Sequence, residues 1–221
     1  MKITILSLFP KMFDGFITES IISRAINMNK VEIEIVNFRD YSNLPNKMVD
    51  DTAYGGGAGM VLRCEPLFAA IRSLKTKDSF VIMTDPTGNK YTQAKAKEYS
   101  KKKHIIIVCG HYEGFDERIK TLADELISVG DYILTGGEIP AMIISDSIIR
   151  LLDGVINKDS LSSESFNDNL LDYPVYTKPE VFEGMKVPEV LLSGHHQKIN
   201  EYRNQERIRV TKEKRSDLMG D

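Results

Sequence analysis

The sequence predicts an α/β domain on a mostly parallel sheet, followed by a smaller unit. Three observations lead there. Over the first two thirds, short β-branched runs alternate with amphipathic stretches, as strands joined by crossover helices do. Glycine-bearing segments recur where the apolar runs stop. From Asn157 to Ser165 the chain turns polar and serine-rich, as a connecting segment does.

In chain order, Ile3–Phe9 has strand length, well short of the roughly 20 apolar residues of a membrane span, and no small-residue cleavage site follows it. It reads as a buried first strand. Val31–Phe38, Phe80–Thr84, Ile105–Gly110 and Leu126–Val129 are the further strands. Helical spacing of apolar residues marks Phe13–Asn27, Glu65–Leu74, Thr92–Lys103 and Asp116–Ala123 as crossovers. Pro140–Leu152 opens on a proline suited to a first helical turn. His195–Arg215 reads as a helix with its continuation, seven Lys and Arg against three Glu, a net +4 inside a chain of formal net charge −3. The expected division is residues 1–156, a linker over 157–166, and a small unit over 167–221.

With 221 residues, 42% hydrophobic and 28% charged, the chain can bury a core without disulfides or metal, which excludes fibrous, low-complexity and disordered classes. Cys64 and Cys109 are far apart in apolar settings, which predicts reduced thiols and a cytoplasmic protein. A nucleic-acid partner would have to be held by a local basic patch.

Tyr54-Gly55-Gly56-Gly57-Ala58-Gly59 lacks the lysine of a P-loop and the spacing of a dinucleotide fingerprint; alone it predicts a hairpin or bend. Thr84–Gly88, Cys109–Gly114 and Gly130–Glu138 sit at strand ends, where ligands of open α/β sheets bind, and jointly they predict a cofactor pocket. Asp50 and Asp51 are adjacent and so no acid–base dyad; a solvated turn is expected. His195 and His196 lack metal-ligand spacing, His111 reads as a polar loop residue or an acid–base group, and no serine nucleophile elbow is present. The basic C-terminal stretch reads equally as a solvated helix face with i, i+4 pairing.

Taken together these segments resemble one family, the bacterial tRNA (guanine-N1)-methyltransferases acting at position 37. The ordered series is Ser7-Leu8-Phe9-Pro10, Asp50-Asp51, Tyr54-Gly55-Gly56-Gly57, Gly59-Met60, Tyr112-Glu113-Gly114, Asp116-Glu117-Arg118, Gly130-Asp131-Tyr132 and Gly136-Gly137-Glu138. It continues through Leu170-Leu171-Asp172-Tyr173-Pro174, Tyr176-Thr177, Pro179-Glu180-Val181, Val187-Pro188 and Leu191-Leu192-Ser193-Gly194. The resemblance implies a deep C-terminal trefoil knot of the SPOUT type in the α/β domain, and a small helical C-terminal domain that contacts tRNA. It implies a homodimer with its active site between subunits, S-adenosylmethionine as methyl donor, and magnesium for activity at a site the sequence does not place.

Carried onto matching positions, the implied cofactor residues are Thr84, Asp85 and Pro86; Gly110, Tyr112 and Gly114; Val129, Gly130, Tyr132, Ile133 and Leu134; and Gly136, Gly137 and Pro140. Implied substrate contacts are Asp50, Tyr54, Gly55, Gly56, Gly57 and Gly59, then Asp172, Ser193, Gly194, His195, Arg203 and Arg207. Guanine N1 must lose a proton before it attacks, so the chemistry needs a carboxylate base and a cation near O6. The resemblance assigns these to Glu164, which stands where the family has aspartate, and Arg150, with Glu113 as a further catalytic residue; Asp168 is the substitute base. Histidine at 111 and lysine at 178 replace arginines common in the family, and the chain ends soon after Leu218, which puts tRNA affinity in question. The rival readings are an inactive tRNA- or cofactor-binding homologue, a knotted methyltransferase with another nucleotide target, and a phosphate-binding hydrolase using Gly55–Gly59.

Overall fold

A computed structural model of the chain describes residues 1–157, 160–161 and 164–220, so Lys158, Asp159, Ser162 and Ser163 of the expected linker lie outside the described residues. The chain forms two compact units, Met1–Ile156 and Asn157–Asp221.

In the first unit, β1 (Lys2–Ser7), β2 (Glu32–Asn37), β5 (Ser79–Lys90), β6 (His104–Val108) and β7 (Glu125–Ser128) form one sheet in the order β2-β1-β6-β5-β7. Every pairing in it is parallel. Parallel strands covered on both faces need continuous apolar runs, and β6 supplies one: Ile105, Ile106, Ile107 and Val108 are all fully buried. Each such side chain contributes about 1.5–3 kcal/mol relative to exposure.

One face packs under α2 (Ser20–Asn27), α4 (Gln93–Tyr99) and α5 (Glu138–Ile149), through Ile22, Ala25, Tyr99, Ile144 and Ile148. The other packs under α3 (Cys64–Leu74) and the 3-10 turns Phe38–Tyr41 and Glu117–Leu122, through Leu67, Ile71, Phe38 and Ile119. A two-stranded hairpin, β3 (Asp50–Asp51) and β4 (Val61–Leu62), stands apart from the sheet.

Several elements differ from expectation. Phe13–Asn27 is not one helix: a 3-10 turn over Pro10–Phe13 leads to α1 (Asp14–Thr18), and Ser20, at φ 56°, breaks the path before α2 continues. Asp116–Ala123 is a six-residue 3-10 turn capped by the Asp116 carboxylate, which accepts from the Arg118 amide at 3.0 Å. Thr92 caps α4, which stops at Tyr99 instead of Lys103. α5 starts two residues early, so Pro140 sits third in the helix, still within the first turn where its missing N–H leaves no gap. Asp50 and Asp51 are strand residues, not a turn, because they pair with Leu62 and Val61.

The second unit contains a short hairpin, β8 (Val181–Phe182) and β9 (Met185–Lys186), then α6 (Glu189–Leu192), α7 (His196–Lys214) and a 3-10 turn over Ser216–Met219.

Candidate functional site

Beside a bulge in β5 and beyond the carboxyl ends of β6 and β7, three chain segments enclose a cavity of about 270 Å³, just under the ~300–1,000 Å³ range of small-molecule sites. Every expected cofactor position lines it, as does Glu113. His111 and Thr135, inside two of the predicted pocket segments, line it too, as do Phe115, Ile127 and Ser128, which only strand-end position could have suggested.

The first wall is a bulge within β5. Strand β5 pairs with β7 up to Thr84, loops out over Asp85–Gly88, and rejoins at Asn89. Asp85 turns the loop by accepting from the Thr87 amide at 2.8 Å and hydroxyl at 2.6 Å, and it pairs with Lys120 at 3.2 Å. Burial raises the Asp85 pKa, but these hydrogen bonds outweigh it and hold the carboxyl below its usual value.

The second wall is the turn Gly110–Gly114, in which Tyr112 adopts the left-handed region at φ 58°. The third, Val129–Gly137, returns to it: the Gly137 amide donates to the Gly110 carbonyl at 2.8 Å, and Gly136 bridges His111. A Cβ at Gly137 would overlap the Thr84 hydroxyl and the backbones of Cys109 and Gly110, so all three walls meet at an atom only glycine lacks. Beneath this crossing the buried Glu138 carboxylate accepts from the Ser7 hydroxyl at 2.7 Å, and Ser7 accepts from the Phe9 amide at 2.8 Å, tying the end of β1 to the site. Burial, helped by Glu138, pushes the Cys109 thiol well above its usual value, which makes it a poor nucleophile.

Much of the lining is backbone and apolar side chain, Ile133 and Leu134 among them. On the same wall His111 Nδ1 is buried without a hydrogen-bond partner. Close backbone approach, apolar side chains and one unsatisfied polar atom together fit a compact, partly apolar cofactor with a heterocyclic edge.

The glycine cluster forms the β3–β4 hairpin tip, with Gly55, Gly56, Gly57 and Gly59 all at positive φ and Tyr54 fully exposed. Its second strand latches onto the cavity's second wall. The Leu62 amide donates to Gly114 at 2.9 Å, Glu113 to Met60 at 2.9 Å, and Asp116 to Leu62 at 3.0 Å. The Glu113 side chain packs on Gly59, where a Cβ would come within 2.6 Å of it. Arg63 holds the hairpin's base through Asp51 and Glu65. Glu113 is thus on the cavity wall, while Arg150 caps the C-terminus of α5 in the same unit.

In the second unit, Glu164 offers its carbonyl to the Asn167 amide at 3.3 Å. The Asp172 amide donates to Ser165 at 2.9 Å. Ser193, Gly194 and His195 form the turn into α7, with the His195 amide on the Ser193 hydroxyl at 3.2 Å. Arg207 is buried, and its guanidinium grips Asp168 through both oxygens and donates to the Leu171 carbonyl at 3.3 Å, so it holds its own unit together. The same pairing lowers the Asp168 pKa, which weakens Asp168 as a substitute base. Arg209 pairs with Glu206 and Glu213, and Arg215 with Asp217.

Among the described residues no group of three or more His, Cys, Asp or Glu side chains converges as a cation cage. No described helix is long and apolar enough to cross a membrane.

The chain is 59% identical to a tRNA (guanine-N(1)-)-methyltransferase of Ureaplasma urealyticum over 99% of its own length and 96% of that protein's. It is 50% identical to proteins of the same name from Listeria welshimeri and Dictyoglomus turgidum, over 99% of this chain and 92% and 90% of theirs. The family model for tRNA (guanine-1)-methyltransferase TrmD matches residues 1–221. By the length and continuity of these matches, the chain belongs to the tRNA (guanine-1)-methyltransferase TrmD family.

Proposed function

We propose that the protein methylates N1 of the guanosine at position 37 of tRNA, with S-adenosylmethionine as donor. The observation that carries this reading is the glycine-walled cavity beside the β5 bulge and beyond β6 and β7, lined by every position the resemblance reserves for the cofactor.

Backbone groups of Tyr112, Ile133 and Leu134 hold the adenine edge, and Pro86 packs against the cofactor. When bound, S-adenosylmethionine supplies an electrophilic methyl group. Glu164 accepts the N1 proton; glutamate's intrinsic pKa of about 4.3 is near that of aspartate, so the exchange preserves the proton chemistry. Arg150 stabilises the charge that moves toward O6, and Glu113 completes the catalytic set. The target base leaves its stack to react.

The α/β unit is threaded as a deep trefoil knot, a reading with which the tight approach at Gly137 accords. Ile139 and Ile143 of α5 are exposed one turn apart, as are Phe9 and Met12 nearby in the chain's first turn, and these apolar side chains suit a second copy in the homodimer. Two unpaired cysteines accord with a cytoplasmic setting.

The test is methyl transfer from labelled S-adenosylmethionine to two tRNA transcripts differing only in guanosine or adenosine at position 37, with the modified atom mapped. Label at guanine N1 of the first transcript alone is the expected result. Cofactor binding with no label on either transcript would instead establish an inactive homologue, the reading that glutamate at 164 favours.

A further inference from the structure

The second unit has a larger hollow, of about 560 Å³. Its lining combines three chemistries. Val187, Leu191, Leu192 and Ile199 are aliphatic, Tyr173 and Tyr176 aromatic, and Lys178, Glu180 and Arg203 charged. Leu192, at 49% exposure, and Tyr176, at 48%, leave it open to solvent.

Arg203 differs from the other arginines of α7. Arg207 and Arg209 spend their guanidinium groups on carboxylates of their own unit. Arg203 instead lies over the Tyr173 ring, 4.8 Å from its centroid, and its Nε is buried with no hydrogen-bond partner. The hollow therefore offers two phenol rings, an unsatisfied cationic donor and an aliphatic surface.

We infer that this hollow receives one unstacked nucleobase of the RNA substrate, an inference that rests on the tRNA reading above. A base supplies a flat face for the tyrosine, an acceptor for the orphaned donor, and a phosphate within range of Lys178. An aliphatic ligand would leave Arg203 Nε unsatisfied. A bare phosphate would make no use of the aliphatic lining. Arg203, a substrate contact by resemblance, is then a base contact and not a phosphate contact.

The two roles separate in salt, because a phosphate contact changes the slope of affinity against ionic strength and a base contact does not. The experiment uses the full chain and anticodon-loop RNA hairpins, each with one loop nucleotide made abasic. Binding is followed by fluorescence anisotropy at several salt concentrations, and S-adenosylmethionine affinity by calorimetry. For the wild type, one abasic position is expected to cost about tenfold in affinity. Tyr176→Ala should lose as much on the intact hairpin and be indifferent to that abasic position, with an unchanged salt slope. Arg203→Lys, which keeps the charge and removes Nε, should show the same coupling. Uniform weakening on every hairpin with a shallower slope, or no weakening, overturns the base site alone. A wild-type chain that binds cofactor and none of the hairpins overturns the tRNA reading with it.

Discussion

Glu164 and Asp168 lie four residues apart. Asp168 is committed to Arg207, so Asp168→Asn should leave methyl transfer nearly intact and destabilise the fold by about 1 kcal/mol, a charged hydrogen bond discounted for the half-exposed carboxylate, read as a lowered Tm. Glu164→Gln should cut turnover by about 10²–10⁴-fold at unchanged cofactor affinity, with Glu164→Asp recovering most of it; loss in Asp168→Asn and not in Glu164→Gln would reverse the assignment. A second titratable residue, His104, escaped the sequence reading. It is buried at the foot of the sheet, with Nε2 on the Thr4 hydroxyl at 3.0 Å and Nδ1 on the Ser79 hydroxyl at 2.7 Å. Burial, then Lys2, lowers its pKa from 6.5, against the opposing pull of Glu34 and Glu32. The unfolded chain therefore takes up the proton first, so the stability held by neutral His104 is complete above about 6.5 and is lost as pH falls through its lower folded value. Wild-type Tm should drop more steeply than that of His104→Gln between about pH 7 and 5; parallel curves would show that His104 carries no such linkage. Arg207 and His104 were illegible for one reason. Their partners lie 39, 100 and 25 residues away, and no local pattern encodes such a pairing.

At the level of elements, β-branched runs made the five strands legible to within a residue or two, except at β5, because continuous apolar sequence is what a doubly covered parallel strand requires. What stayed hidden was local backbone choice. Nothing in the composition around Ser20 announces a left-handed residue, and the bulge in β5 depends on Asp85 finding Thr87 and Lys120 together. The cavity was legible because glycines at strand ends are its walls, while the latch between the hairpin and Gly114 was not, since backbone hydrogen bonds leave no side-chain trace. Gly137→Ala should cost about 1–3 kcal/mol or prevent folding, because backbone, unlike a side chain, cannot step aside. Gly59→Ala meets only the flexible Glu113 side chain, though it also strains a φ of 85°. It should therefore lower turnover through Glu113 more than it lowers Tm, and calorimetry beside single-turnover rates would tell the two effects apart.

For the molecule as a whole, the exposed apolar pair on α5 bears on assembly. Ile143→Asp should convert a dimer to monomer in sedimentation and weaken cofactor binding, whereas a wild type that sediments as a monomer at micromolar concentration would remove the homodimer from the proposal. The overall charge of −3 gave no hint of RNA, and Arg207, Arg209 and Arg215 of the basic stretch are held in ion pairs within their own unit. Charge was thus a poor guide to partner, and the order of motifs a better one. The backbone construction of the first cavity has a pharmacological consequence. An inhibitor that borrows its hydrogen bonds from main-chain groups of the three turns faces a site with few escape routes, since side-chain replacement leaves those groups in place. A resistant variant would have to move the backbone itself, and at Gly137 the first added methyl group already collides with the other two walls.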